Sequence, residues 1–298
     1  MTRRMQLAVQ LALASTWVAL QPAGAVILFG LDNAANQTDP GTGVPFSGVG
    51  MLADAGLANP MGTAIYLGGG YMLTANHVGM KPYVTFDGAT YYQRDTSFTP
   101  VQVAANVDMQ VFRLTTMPTV AAANLYRGVN EQVAPATQVG WGLGRSPTVP
   151  VDSVAVTWGD ASTLAKRWGL NTPRGLATLA SGSGSYAGLY TVLGSDAGSP
   201  AGLGASEAAA TLDDSGSGLF QNLGGTWYLI GLTTGVDTFG TSNFGNDQGA
   251  NPNGDLNYSV RVGSYSSAIL AIIPEPSSAG LLACGLVVVL GRRRTSRH

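Results

Sequence analysis

The 298-residue sequence predicts an all-β protein on three observations. Short runs rich in β-branched and aromatic residues recur along it, each bounded by Gly, Asn, Asp or Pro. Glycine is abundant, at 41 residues, and only 11% of residues are charged against 45% hydrophobic, which argues against charge-driven disorder. Helical periodicity is sparse. The strand spacing favours a barrel or sandwich over βαβ units.

In chain order the predicted strands are GTAIYLG (62–68), YMLTA (71–75), YVTF (83–86), MQVFRL (109–114), TQVGWG (137–142), SVAVTW (153–158), TWYLIGLTTGV (226–236) and NYSVRV (257–262). SYSSAILAII (264–273) is the best helix, and SEAAATL (206–212) a weaker one. The Gly/Ser-rich stretch 181–206 reads as a mobile connection. FGNDQGANPNGD (244–255) reads as an exposed turn-rich loop that could hold calcium, although such loops are more often only turns.

The two ends carry export signals. Residues 1–25 combine Arg3 and Arg4, an apolar run and the small-residue site Ala23-Gly24-Ala25, the pattern of a secretory signal peptide that would leave Val26 as the first mature residue. At the other end Pro274, Glu275 and Pro276 precede an apolar run from Ser277 to Leu290, then Arg292, Arg293, Arg294 and Arg297. That 14-residue run is short of the ~18 to 20 expected of an ordinary spanning helix, and the basic cluster would hold its end in the cytoplasm. A Pro-Glu-Pro triplet, a short apolar segment and a basic terminus resemble the PEP-CTERM sorting signal. The resemblance implies a Gram-negative cell, an exosortase-type enzyme as partner, transient inner-membrane anchoring, and a final place in the cell envelope or extracellular matrix. The expected division is thus a signal peptide over 1–25, a folded domain over 26–273 and a sorting signal over 274–298.

Nine of the 15 Lys and Arg but all 17 Asp and Glu fall between Val26 and Glu275, a formal charge of −8 there. Such a surface disfavours nucleic acid and anionic membranes as partners. The single cysteine, Cys284, lies in the tail, so the domain has no internal disulfide. Two histidines and one tail cysteine cannot build a usual zinc site, and no cofactor is expected.

The stretch DDSGSGLF (213–220) offers Ser215 as a nucleophile, which needs a base to take its proton. With His298 in the tail, His77 is the histidine left for that part. It follows a strand, a glycine turn and a second strand, in the string Thr74-Ala75-Asn76-His77. Asp108, at the start of a strand with alternating Val111 and Leu114, is the candidate carboxylate to fix the imidazole, although an Asp there is often only a turn former. No G-x-S-x-G pentapeptide supports an α/β-hydrolase esterase.

A hairpin followed by T-A-x-H, the segment DMQVFRL, the order His77, Asp108, Ser215, and the strings VGWGLG (139–144), GTWYLIGLTTGV (225–236) and YSVRVGSYSSAI (258–269) resemble the trypsin-like serine proteases. The resemblance spans 62–273 and implies two six-stranded antiparallel Greek-key β-barrels with a short C-terminal helix, acting as a monomer. It implies an endopeptidase working on a protein or peptide substrate, with Asp213 and Ser215 N–H groups as oxyanion donors. By the same counting Ala209 falls at the floor of the substrate pocket, Leu256 at its wall, and Thr234 beside the buried aspartate. Neither pocket residue is acidic, so no preference for Lys or Arg at the scissile bond is expected.

Two departures matter. Asp213 replaces the family's glycine, and its carboxylate would repel a developing oxyanion; Gln110 replaces a usually small residue. The first motivates an alternative, a pseudoprotease acting as a surface or matrix binding module; an unrelated β-rich structural protein is a third reading. Asp214 matches the family's acidic residue that pairs with a newly cut N-terminus, a part Val26-Ile27 would play after cleavage at Ala25, although Leu28 and Phe29 depart from the family's glycines.

Overall fold

A computed structural model describes residues 26–57, 60–131, 134–150, 155–181, 184–193, 203–236, 241–243 and 255–274. After a two-residue strand β1 (Ile27–Leu28), the first sheet is built from β2 (Val49–Ala53), β3 (Gly62–Gly68), β4 (Tyr71–Thr74), β5 (Tyr83–Thr85), β6 (Tyr91–Gln93), β7 (Val101–Gln102) and β8 (Gln110–Arg113). Its strand order is β6-β5-β2-β3-β4-β8-β7, antiparallel throughout.

There follow β9 (Asn124–Leu125), β10 (Ala136–Gly142), β11 (Ala155–Thr157), β12 (Ala165–Asn171), β13 (Pro173–Ser181), β14 (Gly184–Val192), β15 (Ala208–Ala209), β16 (Gly218–Leu223), β17 (Thr226–Val236), β18 (Thr241–Asn243), β19 (Leu256–Arg261) and the helix α1 (Val262–Ile272). The second sheet runs β12-β10-β16-β17-β19-β14-β13, and β9 joins β17 in parallel. β1 pairs with β15, and β11 with β18.

The two-barrel, all-β architecture with one short C-terminal helix is the one the sequence implies, but the strand counts are seven and eight rather than six and six. The excess sits at the margins. β7 and β9 have two residues each, and β13 ends its sheet as the outer partner of β14.

Other expectations are corrected. SEAAATL is no helix: a single turn at Gly204–Ser206 is followed by β15, because its backbone pairs with Ile27 and Leu28. The stretch 181–206 contains β14, an inner strand whose Tyr186, Leu189 and Val192 are buried. The loop 244–255 falls outside the described residues except Asp255, and so does the apolar segment 277–290. Among the described residues no helix is long and apolar enough to cross a membrane.

Both sheets feed one core. Met51, Ile65, Leu73 and Val111 of the first pack in the same cluster as Val139, Trp141, Phe220, Leu232 and Val260 of the second. Burying a side chain of this size contributes about 1.5–3 kcal/mol, so this seam fixes the two sheets against each other. Polar ties cross it as well: Trp141 Nε1 donates to the Val49 carbonyl at 3.3 Å, and buried Lys166 Nζ to the Phe86 carbonyl at 3.1 Å. The turn after β4, the segments just before β8 and β16, and β17 carry the candidate site.

Candidate active site

β4 ends at Thr74 and runs into a one-turn helix, Asn76–Val78, that carries His77. The turn is held from below. Gln110 Nε2, on β8, donates to the Asn76 carbonyl at 3.2 Å, so the residue that departs from the family pattern serves as a brace. Asp108 precedes β8 and accepts from the His77 backbone N–H at 2.8 Å through Oδ1.

Its other oxygen faces the ring: His77 Nδ1 lies 2.6 Å from Asp108 Oδ2. An ionised carboxylate only accepts, so Nδ1 carries the proton, and in the neutral ring Nε2 presents its lone pair to Ser215 Oγ at 2.9 Å. Asp108 is nine-tenths buried. Burial alone would raise its pKa, but the hydrogen bonds from His77 and Thr234 hold it below the ordinary carboxylate value. The sequence-predicted His77, Asp108 and Ser215 thus form one hydrogen-bonded row, and Thr234 reaches Asp108 Oδ2 through its hydroxyl as expected.

Ser215 is presented on a tight turn. Gly216 has φ +87, and a side chain there would come 2.7 Å from Thr74 Oγ1; its N–H donates to the Thr233 carbonyl. Gly62 lets the Ser215 carbonyl approach, which accepts from the Thr63 N–H at 2.8 Å. Asp213 adopts φ 68, the left-handed conformation that glycine would take more easily. Among the described residues neither the Asp213 nor the Ser215 N–H is taken up by another group, which leaves both for an anionic oxygen. The Asp213 carboxyl is half-buried, and burial pushes its pKa up to about 6.

Asp214 turns the other way and is fully buried. Oδ2 accepts from the Thr211 N–H at 2.9 Å, while among the described residues Oδ1 has no hydrogen-bond partner of good geometry, the Val26 N–H lying nearby. Burial raises this carboxyl to about 7, against the lowering effects of Thr211, the nearby Val26 N–H and Arg167. Val26 is itself buried, and Ile27 and Leu28 run on as β1 against Ala209 and Ala208. Val26 therefore sits beside Asp214.

Of the expected pocket residues, Ala209 lies on β15 and Leu256 on β19, strands of two different sheets. Ala209 packs with Leu193 and Phe29, Leu256 pairs with Val192, and Ala210 N–H donates to Asn257 Oδ1 at 2.8 Å. Ala209 is fully buried and Leu256 half-buried. Thr234, at the cleft, meets Asp108 through its hydroxyl. A cavity of about 830 Å³ near Leu125, Tyr228 and Ile273 includes none of these residues. Among the described residues no group of three or more His, Cys, Asp or Glu could hold a metal.

One neighbour of the row had no sequence signal: Tyr186, whose hydroxyl lies 3.2 Å from Thr234 Oγ1. It sits in SGSGSYAG, whose composition suggests a linker.

No protein-family profile and no curated protein matches the sequence. Among solved structures the chain is similar to neuropsin, a serine protease expressed in the limbic system of mouse brain, at 14% identity over 80% of this chain and 98% of that one, with a TM-score of 0.51. It also matches the HtrA-type protease AlgW with decapeptide (15% identity, 72% of this chain, 52% of that one, TM-score 0.45) and the MamO protease domain from Magnetospirillum magneticum (13%, 78%, 99%, 0.44). The chain spans about half the length of AlgW. The neuropsin likeness establishes the fold, that of trypsin-like serine proteases, and nothing finer.

Proposed function

We propose that this chain is an exported serine endopeptidase. The observation that carries the reading is the row Ser215 Oγ, His77 Nε2 at 2.9 Å, and His77 Nδ1, Asp108 Oδ2 at 2.6 Å, on a trypsin-like fold. Ser215 Oγ attacks the scissile carbonyl carbon as its proton passes to His77 Nε2. Asp108 keeps the proton on Nδ1 and stabilises the imidazolium that forms. The Asp213 and Ser215 N–H groups receive the oxyanion. His77 then gives its proton to the departing amine, leaving an acyl-Ser215 ester, and a water activated by His77 hydrolyses it.

The same reading makes export and processing part of the mechanism. Cleavage after Ala25 would free a Val26 ammonium beside Asp214, whose Oδ1 has no well-aligned partner among the described residues and whose loop carries Asp213 and Ser215. The C-terminal segment would hold the chain transiently at the inner membrane until an exosortase-type enzyme takes it, placing the domain in the envelope or matrix. With Ala209 and Leu256 at the pocket, neither of them acidic, the substrate is a protein or peptide cut without preference for Lys or Arg before the scissile bond.

A second reading is favoured by one observation. The Asp213 carboxyl stands at the residue whose N–H should meet the oxyanion, which motivates a pseudoprotease used for surface or matrix binding. The test between the two is labelling of the processed protein by a fluorophosphonate, with Ser215→Ala and His77→Ala as controls. Labelling lost in both variants supports the endopeptidase. A folded wild type that never labels supports the binding module.

A further inference from the structure

We propose that Tyr186 is a positioning residue for the Ser215–His77–Asp108 row, acting through the Thr234 hydroxyl, and that the β13–β14 hairpin is the strut that holds it there. The inference rests on the endopeptidase reading for its functional meaning.

Proton bookkeeping fixes the direction of the contacts. Asp108 Oδ2 accepts from His77 Nδ1–H and, as a carboxylate, has no proton to offer Thr234. The Thr234 hydroxyl must therefore donate to Asp108. Its single proton is then committed, and the neighbour at 3.2 Å, Tyr186 Oη, can only be the donor to Thr234 Oγ1. The row reads Tyr186 to Thr234 to Asp108, with His77 donating from the opposite side. Each donor polarises the next, so Tyr186 both aims the Thr234 proton and strengthens its bond to Asp108.

Tyr186 is suited to that part. It is 7% exposed, and burial first, with the Asp108 charge adding to it, raises its pKa above that of an ordinary phenol despite the Thr234 contact. It therefore stays a protonated donor around neutral pH. Its ring packs in the common core, whereas its hydroxyl makes the polar contact, so removing the oxygen leaves the packing in place.

The hairpin holds Tyr186 from three directions. β13 and β14 pair without interruption from Gly175 opposite Tyr190 to Ser181 opposite Gly184, with Tyr186 opposite Leu179. Next to it the Ala187 N–H donates to Tyr265 Oη of α1 at 2.8 Å. At the hairpin's end a side chain on Gly184 would stand 2.8 Å from Asn106 Cβ. Asn106, at φ 64, lies two residues before Asp108. A strand pair of the second sheet thus abuts the loop of the first that carries the carboxylate, beside its hydroxyl contact with Thr234.

The test is Tyr186→Phe in the processed full chain, alone and combined with Thr234→Val. Loss of one hydrogen bond of ordinary net strength should slow fluorophosphonate labelling by roughly three- to tenfold. The midpoint of the labelling rate against pH should move upward, because a Thr234 hydroxyl no longer polarised by Tyr186 donates less strongly to Asp108, whose charge then favours the imidazolium more. In the Thr234→Val background Tyr186→Phe should add almost nothing. Unchanged rate and midpoint, or an equal effect in both backgrounds, would overturn the proposal. A readout independent of activity is the downfield proton resonance of His77 Nδ1–H, expected to shift and to exchange faster in Tyr186→Phe; an unmoved resonance would also overturn it. A wild type that never labels but shows the shift would sink the endopeptidase reading and leave this one standing.

Discussion

A side chain on Gly142 would come within 2.8 Å of the Asp214 carboxyl carbon, and one on Gly140 would overlap Asp214 Oδ1. The Gly-Trp-Gly string therefore has a physical reason. On one face of β10, two absent side chains make room for a buried carboxyl, while Trp141 between them points from the opposite face into the core.

Gly140→Ala tests that reason. The new methyl also stands 2.7 Å from Ser217 Cβ, so either Asp214 or the nucleophile turn must shift. Overpacking of this kind costs about 1–3 kcal/mol, readable as a lower urea midpoint. Labelling of Ser215 should fall beyond what the remaining folded fraction explains. Wild-type stability and labelling together would show that the carboxyl has room to spare.

Asp214 predicts a pH signature that differs before and after processing. Its folded-state pKa of about 7 lies above the ordinary 3.8, so the native uncleaved chain binds more protons than the unfolded one across that interval. Its contribution is fully present below 3.8 and is lost as pH rises through about 7. A Val26 ammonium beside it would lower that pKa and shrink the loss. Urea midpoints at pH 4, 5.5 and 7 should fall steeply for the uncleaved chain and less for one beginning at Val26, which should also label faster. Parallel curves would separate Val26 from Asp214.

How much was legible in the sequence follows from what each element depends on. β3 and β17 read directly because β-branched and aromatic residues fill them between glycines. The site residues were legible because their partners recur in a fixed order along the chain. β12 (AKRWGLN) was not legible, since its Lys166 and Arg167 are buried by contacts with distant residues, Phe86 and Asn33. β14 was hidden for a different reason. Gly184 and Gly188 look like linker residues, yet Asn106 in one case and Leu179 in the other occupy the space their side chains would need.

Gln110 shows the same dependence on a distant partner, and it yields a prediction of its own. Its amide holds the Asn76 carbonyl, and Asn76 opens the turn that carries His77. Gln110→Ala should cost about 0.5–1.5 kcal/mol of stability, the net worth of one such bond. It should slow Ser215 labelling several-fold because the imidazole is less well fixed. Gln110→Glu should do worse than Ala, since an ionised carboxylate cannot donate to that carbonyl. If Ala and Glu label alike at the wild-type rate, the turn holds His77 unaided.

Asp213 decides how much activity the site can have, and its own titration supplies the test. Burial lifts its carboxyl to about 6, so the side chain is mostly neutral at pH 5 and mostly ionised at pH 8. An ionised carboxylate at the residue whose N–H meets the oxyanion opposes the charge that must develop there, and a neutral one does not. Asp213→Gly removes this opposition and relieves a non-glycine residue from φ 68, so the variant should be at least as stable as the wild type. The rest of the site is common to both proteins, which makes the ratio of their labelling rates the informative quantity. That ratio should be small at pH 5 and rise through about pH 6 to tenfold or more at pH 8, on the scale of one lost oxyanion donor or less. A ratio that stays flat with pH would place the carboxyl too far from the oxyanion to matter, and a variant slower than the wild type at every pH would give Asp213 a supporting part in the turn instead.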